Sequence, residues 1–294
     1  MGPPPFDTNP PATGAGGSSN GATVPGEGDP SALPFVPPSD DPNSNAAGAS
    51  NESDSDGDES DDEQPQPNGC NPWPAATGNR DVSATLEVSG TFDGGLMRFT
   101  GIGPLGNGSQ EEGQDALFEL APGATLRNVI LGSPAADGIH CQGACTLENV
   151  WWEDVGEDAA TFRGNSSNQN MSIRCGGARS ADDKVFQHNG AGTLTIEDFV
   201  VEDFGKLYRS CGNCGTQFAR HIVLRSITAR EGSVLVGINS NLGDTAEFEN
   251  ITLFGEIGVC DRYTGNDTGA EPTRNGSGAD GQSCIFTTAD ITQR

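Results

Sequence analysis

From about residue 115 onward, short apolar segments alternate with Gly-rich and Asn-rich turns, and apolar residues almost never recur at helical spacing. The apolar segment itself recurs as LRNV (126–129), LENV (147–150), IRCG (173–176), IEDF (196–199), LRSI (224–227) and FENI (248–251), with starts 21, 26, 23, 28 and 24 residues apart. A second short apolar stretch follows each one. Paired short strands at this period predict an all-β fold, a right-handed parallel β-helix whose stacked coils bury one continuous core. Asn128, Asn149 and Asn250 take the same place in their repeats. Stacked there, their amides would form a ladder; they also suit that place simply as turn residues.

The repeat orders charge as well. Eleven residues after each start come Asp137, Asp158 and Lys184, and from Ile196 the same count reaches Leu207, one past Lys206. Coils stacked in register lie ~4.8 Å apart, so these residues predict a charged column on one face, with Lys206 close above it. Glu157 and Asp183 are chain neighbours of column positions. Adjacent strand residues point to opposite faces, so they converge only where a turn or bulge intervenes. Carboxylates this close repel unless a cation sits among them, and hard oxygen donors favour calcium over zinc. The plainer reading is a solvated face of Asp–Lys pairs, each worth ~0–1 kcal/mol. Against it, Lys184 and Lys206 are the only lysines in 294 residues, beside 13 arginines.

Composition divides the chain. Residues 1–69 hold 13 Asp and Glu, no Lys or Arg, and only Phe6 and Phe35 as aromatics, and they end in the run NESDSDGDESDDEQPQPNG. Such a segment cannot bury enough apolar surface to offset its ordering entropy. A disordered acidic tail or linker is therefore expected over residues 1–79, ahead of a β-helix domain over 80–294. A net charge of −27 argues against nucleic acid as a partner. No apolar run approaches the ~18 residues of a membrane span.

All eight cysteines lie from Cys70 onward. That density suits disulfides and an oxidising compartment, hence a secreted protein. MGPPPFDTNP nonetheless lacks the basic start and apolar core of an export signal, so no signal peptide is visible. Cys211-x-x-Cys214 and Cys141-x3-Cys145 together have a zinc-like spacing, and Cys211-x-x-Cys214 alone a redox one. The sequence assigns no pairing.

Three blocks around the charged column, ILGSPAADGIHCQGACTLENVWWEDVGEDAATFRG, ADDKVFQHNGAGTLTIEDFVVEDFGKLYRSCGNC and RHIVLRSITA…LVGINSNLGDTA, resemble the pectate lyases of polysaccharide lyase family 3. The resemblance runs from about Val82 to Leu253. It implies a pectin-lyase-like β-helix and a secreted, calcium-dependent enzyme that cleaves polygalacturonate by β-elimination. It also implies Asp137, Glu157 and Asp158 as calcium ligands, with Asp183 a weaker fourth. The catalytic basic residues it implies are Lys184, Lys206 and Arg209, and Glu112 matches an acidic position beside the substrate.

The chemistry agrees with this assignment. β-Elimination removes the proton at carbon 5 of a galacturonate and expels the glycosidic oxygen at carbon 4. A Lewis acid on the uronate carboxylate eases loss of that proton. The base must be neutral, which lysine becomes only where neighbouring cations depress its pKa. Lys184 is accordingly expected to be the base, with Lys206, Arg209 and calcium as those neighbours, and an alkaline optimum follows. Exchange of the base role with Lys206 stays open. Lys206 and Arg209 would bind substrate carboxylates.

Two alternatives are a calcium-dependent uronate-binding module without catalysis and a polygalacturonase-type hydrolase using Asp182 and Asp183. His140, His188 and His221 read as hydrogen-bonded structural residues. At most one ring of Trp151 and Trp152 can face outward as a sugar platform. A monomer is expected.

Overall fold

The computed structural model describes Cys70, residues 73–111 and residues 113–294. Most of the expected acidic tail, and Glu112, lie outside the described residues. The strands are β1 (Gly78–Val82), β2 (Leu86–Val88), β3 (Thr91–Gly101), β4 (Phe118–Leu120), β5 (Ala124–Leu131), β6 (Ile139–Cys141), β7 (Cys145–Trp152) and β8 (Ala160–Phe162). Three long strands follow, β9 (Asn170–His188), β10 (Gly192–Ser210) and β11 (Arg220–Asn239). The chain closes with β12 (Thr245–Phe254), β13 (Gly258–Thr264), β14 (Thr273–Ser277), β15 (Cys284–Ile285) and β16 (Ile291–Gln293).

They form a parallel β-helix with two principal ladders. The first runs β1-β3-β5-β7-β9-β10-β11-β12, and the second runs β2-β4-β6-β8 and then joins the later halves of β9, β10 and β11 before β13. The expected repeat is the register of the first ladder. Leu126 pairs with Leu147, Leu147 with Ile173, Ile173 with Ile196, Ile196 with Leu224, and Leu224 with Phe248. Period-two patterning turns each of these inward, where all are buried. Phe99, Phe118, Phe162, Phe186 and Phe199 fill the same core, partly through edge-to-face contacts such as Phe186–Phe199 at 5.4 Å.

β9, β10 and β11 run unbroken from one ladder to the other because each bends at residues of positive φ. The bends fall at Cys175 and Ser180, at Asp198 and Asp203, and at Ser226 and Glu231. Asn128, Asn149 and Asn250 share that left-handed conformation, which Asn tolerates better than most residues. The amide ladder is real but short. Asn149 Nδ2 donates to Asn128 Oδ1 at 2.8 Å and Asn128 Nδ2 to Asp93 Oδ1 at 2.9 Å. In the next coil the position is Cys175, which is tied to Cys70.

The other disulfides are Cys141–Cys145, Cys211–Cys214 and Cys260–Cys284, leaving no free cysteine. The two pairs with zinc-like spacing are thus closed within themselves. The Cys70–Cys175 link spans 105 residues, worth ~4–5 kcal/mol in a chain-entropy account. It fastens the N-terminal segment so that Trp73 packs edge-on to Trp151 at 4.9 Å. Trp152 turns into the core and donates to the Ala159 carbonyl. Neither ring of the Trp151–Trp152 pair is left as a sugar platform. No helix among the described residues is long and apolar enough to cross a membrane.

His188 is fully buried, with Nδ1 2.8 Å from the Tyr208 hydroxyl. Burial, and then the nearby Arg220, push its pKa down to about 3. An unfolded imidazole takes up its proton near 6.5, whereas the folded one resists it. Stability is therefore full above about 6.5 and declines as pH falls towards 3. Melting temperature measured across that window is expected to fall for the wild type and to fall less steeply for His188→Gln.

Candidate active site

The second ladder carries the charged column. Ile139 pairs with Ala160 and Ala160 with Phe186. Continuing that register two residues upstream sets Asp137, Asp158 and Lys184 on successive coils. Lys184 pairs directly with Lys206 across a register shift between Phe204 and Lys206. That bulge absorbs the one-residue offset in the sequence repeat and aims Lys206 to the same side as Lys184.

Asp137, Glu157 and Asp158 converge, with one carboxylate oxygen from each within 4.8 Å of the others. Their exposures are only 5%, 6% and 2%. Burying three carboxylates together is costly without compensating positive charge. Part of it comes from Lys184, whose Nζ lies 3.5 Å from both Glu157 Oε1 and Asp158 Oδ1. Asp137 Oδ2 lies 2.7 Å from His140 Nε2, while Oδ1 is buried with no hydrogen-bond partner among the described residues. A set of oxygen-only donors with a buried acceptor to spare fits a hard divalent cation and does not fit zinc.

Asp183 behaves differently. It stands outside that cluster and bridges the two amines, 2.8 Å from Lys184 Nζ and 3.2 Å from Lys206 Nζ. Its partial burial raises its pKa, but Lys184 and then Lys206 outweigh this and hold it below the usual carboxylate range. Burial would likewise lower the Lys184 pKa, but Asp158, Asp183 and Glu157 carry it well above the ordinary lysine value. The sequence reading expected cationic neighbours for this amine. Its close partners are anionic.

Lys184, Lys206 and Arg209 open onto one cavity of about 250 Å³, also lined by Gln187, Asn213 and Tyr263. Arg209 is buried and braced, its Nη1 donating to the Ser210 carbonyl at 2.7 Å and to Asn239 Oδ1 at 3.1 Å. Tyr263 stacks on the guanidinium at 4.2 Å. Asn239 is anchored in turn by Asp244, which also accepts from Ser210 Oγ at 2.5 Å. Sequence reasoning missed this support. Asn239 sits inside the quoted VGINSN block, where a polar residue ending a buried strand was a usable signal. Tyr263 lies past the resemblance, and nothing in its local sequence marks it. His140, expected as a hydrogen-bonded structural residue, is one, and its partner is an oxygen of the acidic cluster.

Chain folding and site geometry together define a β-helical enzyme with a cationic groove beside an acidic cluster, suited to an acidic polymer. A family profile described as pectate lyase matches residues 70–270. Pectate lyase H of Emericella nidulans is 47% identical over 219 residues, covering 74% of this chain and 83% of that protein. Probable pectate lyase E of Neosartorya fischeri is 48% identical over 209 residues, covering 70% and 81%. Among solved structures, the catalytic domain of pectate lyase PelI from Erwinia chrysanthemi superposes with a TM-score of 0.63 at 31% identity, covering 74% of this chain and 100% of that one. The same PelI, solved in complex with tetragalacturonic acid, gives a TM-score of 0.61 at 31% identity, covering 73% and 70%. The chain belongs to the pectate lyase family and shares its enzyme class.

Gly205 lets β10 approach β9 beside the amines, for a Cβ there would meet the Asp183 carbonyl oxygen at 2.3 Å. Because that neighbour is backbone, the strand must move. Gly205→Ala is expected to cost about 2 kcal/mol by overpacking, read as a lower melting temperature, and to lower activity by displacing Lys206.

Proposed function

We propose that this pectate lyase is calcium-dependent and cleaves polygalacturonate by β-elimination in the groove of Lys184, Lys206 and Arg209. The observation that carries this reading is the meeting of the chain's only two lysines with a braced arginine, directly beside three buried carboxylates. Asp137, Glu157 and Asp158 are the ligands, and Asp183 serves the lysines instead. A calcium ion held by these residues would supply a Lewis acid to the uronate carboxylate and would offset the charge of the carboxylates beside Lys184.

Arg209 binds a substrate carboxylate with its remaining donors and, being braced on Asn239 and Tyr263, fixes the sugar without a rotamer search. Lys206 pairs with the same or the next carboxylate. Lys184 takes the proton from carbon 5. The electron pair of that C–H bond becomes the double bond between carbons 4 and 5, the bond from carbon 4 to the glycosidic oxygen breaks, and that oxygen takes a proton from water in the open groove. Lys206 is the second reading for the base, because its Nζ opens onto the same groove and meets one close carboxylate, Asp183, where Lys184 meets three. Glu112 keeps its role beside the substrate within this proposal.

Four disulfides suit an oxidising compartment, which supports secretion. One chain supplies every residue of the groove, so a monomer suffices. We take the catalytic domain to run to Arg294 and to reach back from residue 80 to Cys70, where the disulfide to Cys175 and the Trp73 contact begin.

Digestion of polygalacturonate should give the ultraviolet absorbance of an unsaturated product, rising towards alkaline pH, lost with chelator and restored by calcium. Lys184→Ala should lower kcat by about 10³-fold, the scale of a lost general base, with Lys206→Ala compared for which variant removes the rise in activity towards alkaline pH. New reducing ends without that absorbance would establish a hydrolase. Binding with no turnover in calcium would establish a binding module.

A further inference from the structure

The groove does not end at the lysines. A second cavity of about 430 Å³ opens beside the first, and Asp183, Lys206 and Tyr263 line both. The two are one trough. Its floor follows the coil stack, since Lys206 pairs with Val234 and Val234 with Gly258. Two coil steps are ~10 Å, and the change from lysine to valine to glycine lowers the floor away from the reacting amines.

The far wall is the β13–β14 hairpin, in which β13 ends the second parallel ladder and β14 pairs with it antiparallel. Cys260 at its base is tied to Cys284. From this hairpin Arg274 reaches the cavity. Its Nη2 is held by Asp261 Oδ1 at 2.8 Å and by Ser277 Oγ. Its Nε and Nη1 make no hydrogen bond among the described residues, and the side chain is 58% exposed. Asp261, by contrast, is buried. A guanidinium anchored at one nitrogen keeps donors for a second anion, and with Lys206 it offsets the carboxylates of Asp182, Asp183 and Asp261 that line the same cavity. Arg274 also lies beyond residue 270, where the family match stops.

A uronic acid polymer repeats a carboxylate along its length, so a chain seated on Lys206 and Arg209 carries further carboxylates along the trough. We propose that the second cavity is an additional uronate subsite with Arg274 as its carboxylate ligand, making Arg274 a determinant of preference for long, unesterified substrate. The proposal rests on the lyase reading of the first cavity. It adds a specificity residue and leaves the chemical step to Lys184, Lys206 and Arg209.

The test compares wild type, Arg274→Gln and Ser233→Glu in calcium, using galacturonate oligomers of increasing length, polygalacturonate and highly methylated pectin. Ser233→Glu puts a negative charge into the cavity lining from β11 and not from β14, so it reads the subsite even if Arg274→Gln disturbs β14. Both variants should raise KM on long substrates about tenfold, as expected for a lost or opposed charged hydrogen bond, with kcat within about twofold. The difference should vanish on the shortest oligomer that is cleaved, and Arg274→Gln should discriminate less against methylated pectin. Retardation in native gels containing polygalacturonate should weaken in parallel, a readout independent of turnover. Unchanged KM and retardation in both variants, or an equal loss at every chain length, would overturn the subsite. Wild type lacking the unsaturated product, with retardation still dependent on Arg274, would overturn the lyase reading and keep the subsite.

Discussion

Backbone hydrogen bonding between coils stacked in parallel register is the constraint on which this molecule depends. Each coil can satisfy its own peptide groups only through the coils above and below it, at a spacing of ~4.8 Å. A residue is therefore held against its counterparts more than twenty positions away, with little freedom to slip, because a one-residue shift would turn every core side chain outward. Leu126, Leu147, Ile173, Ile196 and Leu224 are buried above one another for this reason. The same rule operating on the next ladder carries Asp137, Asp158, Lys184 and Lys206 into one column.

Charge in that column is arranged by how each side chain leaves the backbone. Asp137, Glu157 and Asp158 come from turns that enter β6 and β8, where adjacent residues need not alternate, so three carboxylates meet with little exposure. Lys184, Lys206 and Arg209 come from β9 and β10, the two lysines directly after the register shift, and present their ends to the groove. Asp183 lies between the two sets and balances both amines. The outcome is a molecule of net charge −27 that gathers its only two lysines and Arg209 in one groove. Buried supports at Asn239, Asp244 and Tyr263 keep the arginine in place.

Much of this was legible in the chain. The recurrence of LRNV, LENV and IEDF gave the period, and counting from it reached Asp137, Asp158 and Lys184 because register in a solenoid is set by the same apolar pattern that can be read as text. The count missed Lys206 by one since a β-bulge adds a residue with no compositional mark. Asp183, expected as a weaker fourth calcium ligand, lies within hydrogen-bond reach of both lysines, a placement that depends on side-chain direction. The disulfides were illegible: Cys141–Cys145 and Cys211–Cys214 are local, while Cys70 pairs 105 residues away, and spacing alone does not separate those cases.

What the sequence determined by itself is the repeat, the all-β class, the family, and the set of charged residues that share one face. These follow from patterns that are periodic or contiguous along the chain. The tertiary structure decided the rest: the anionic surroundings of Lys184, the stacking of Tyr263 on Arg209, the covering of Trp151 by Trp73, and the arrival of Arg274 at the second cavity from β14, an antiparallel strand added to the coil stack. Each joins segments through side-chain direction and local bends, and neither quantity is periodic, so no count along the sequence could have reached it.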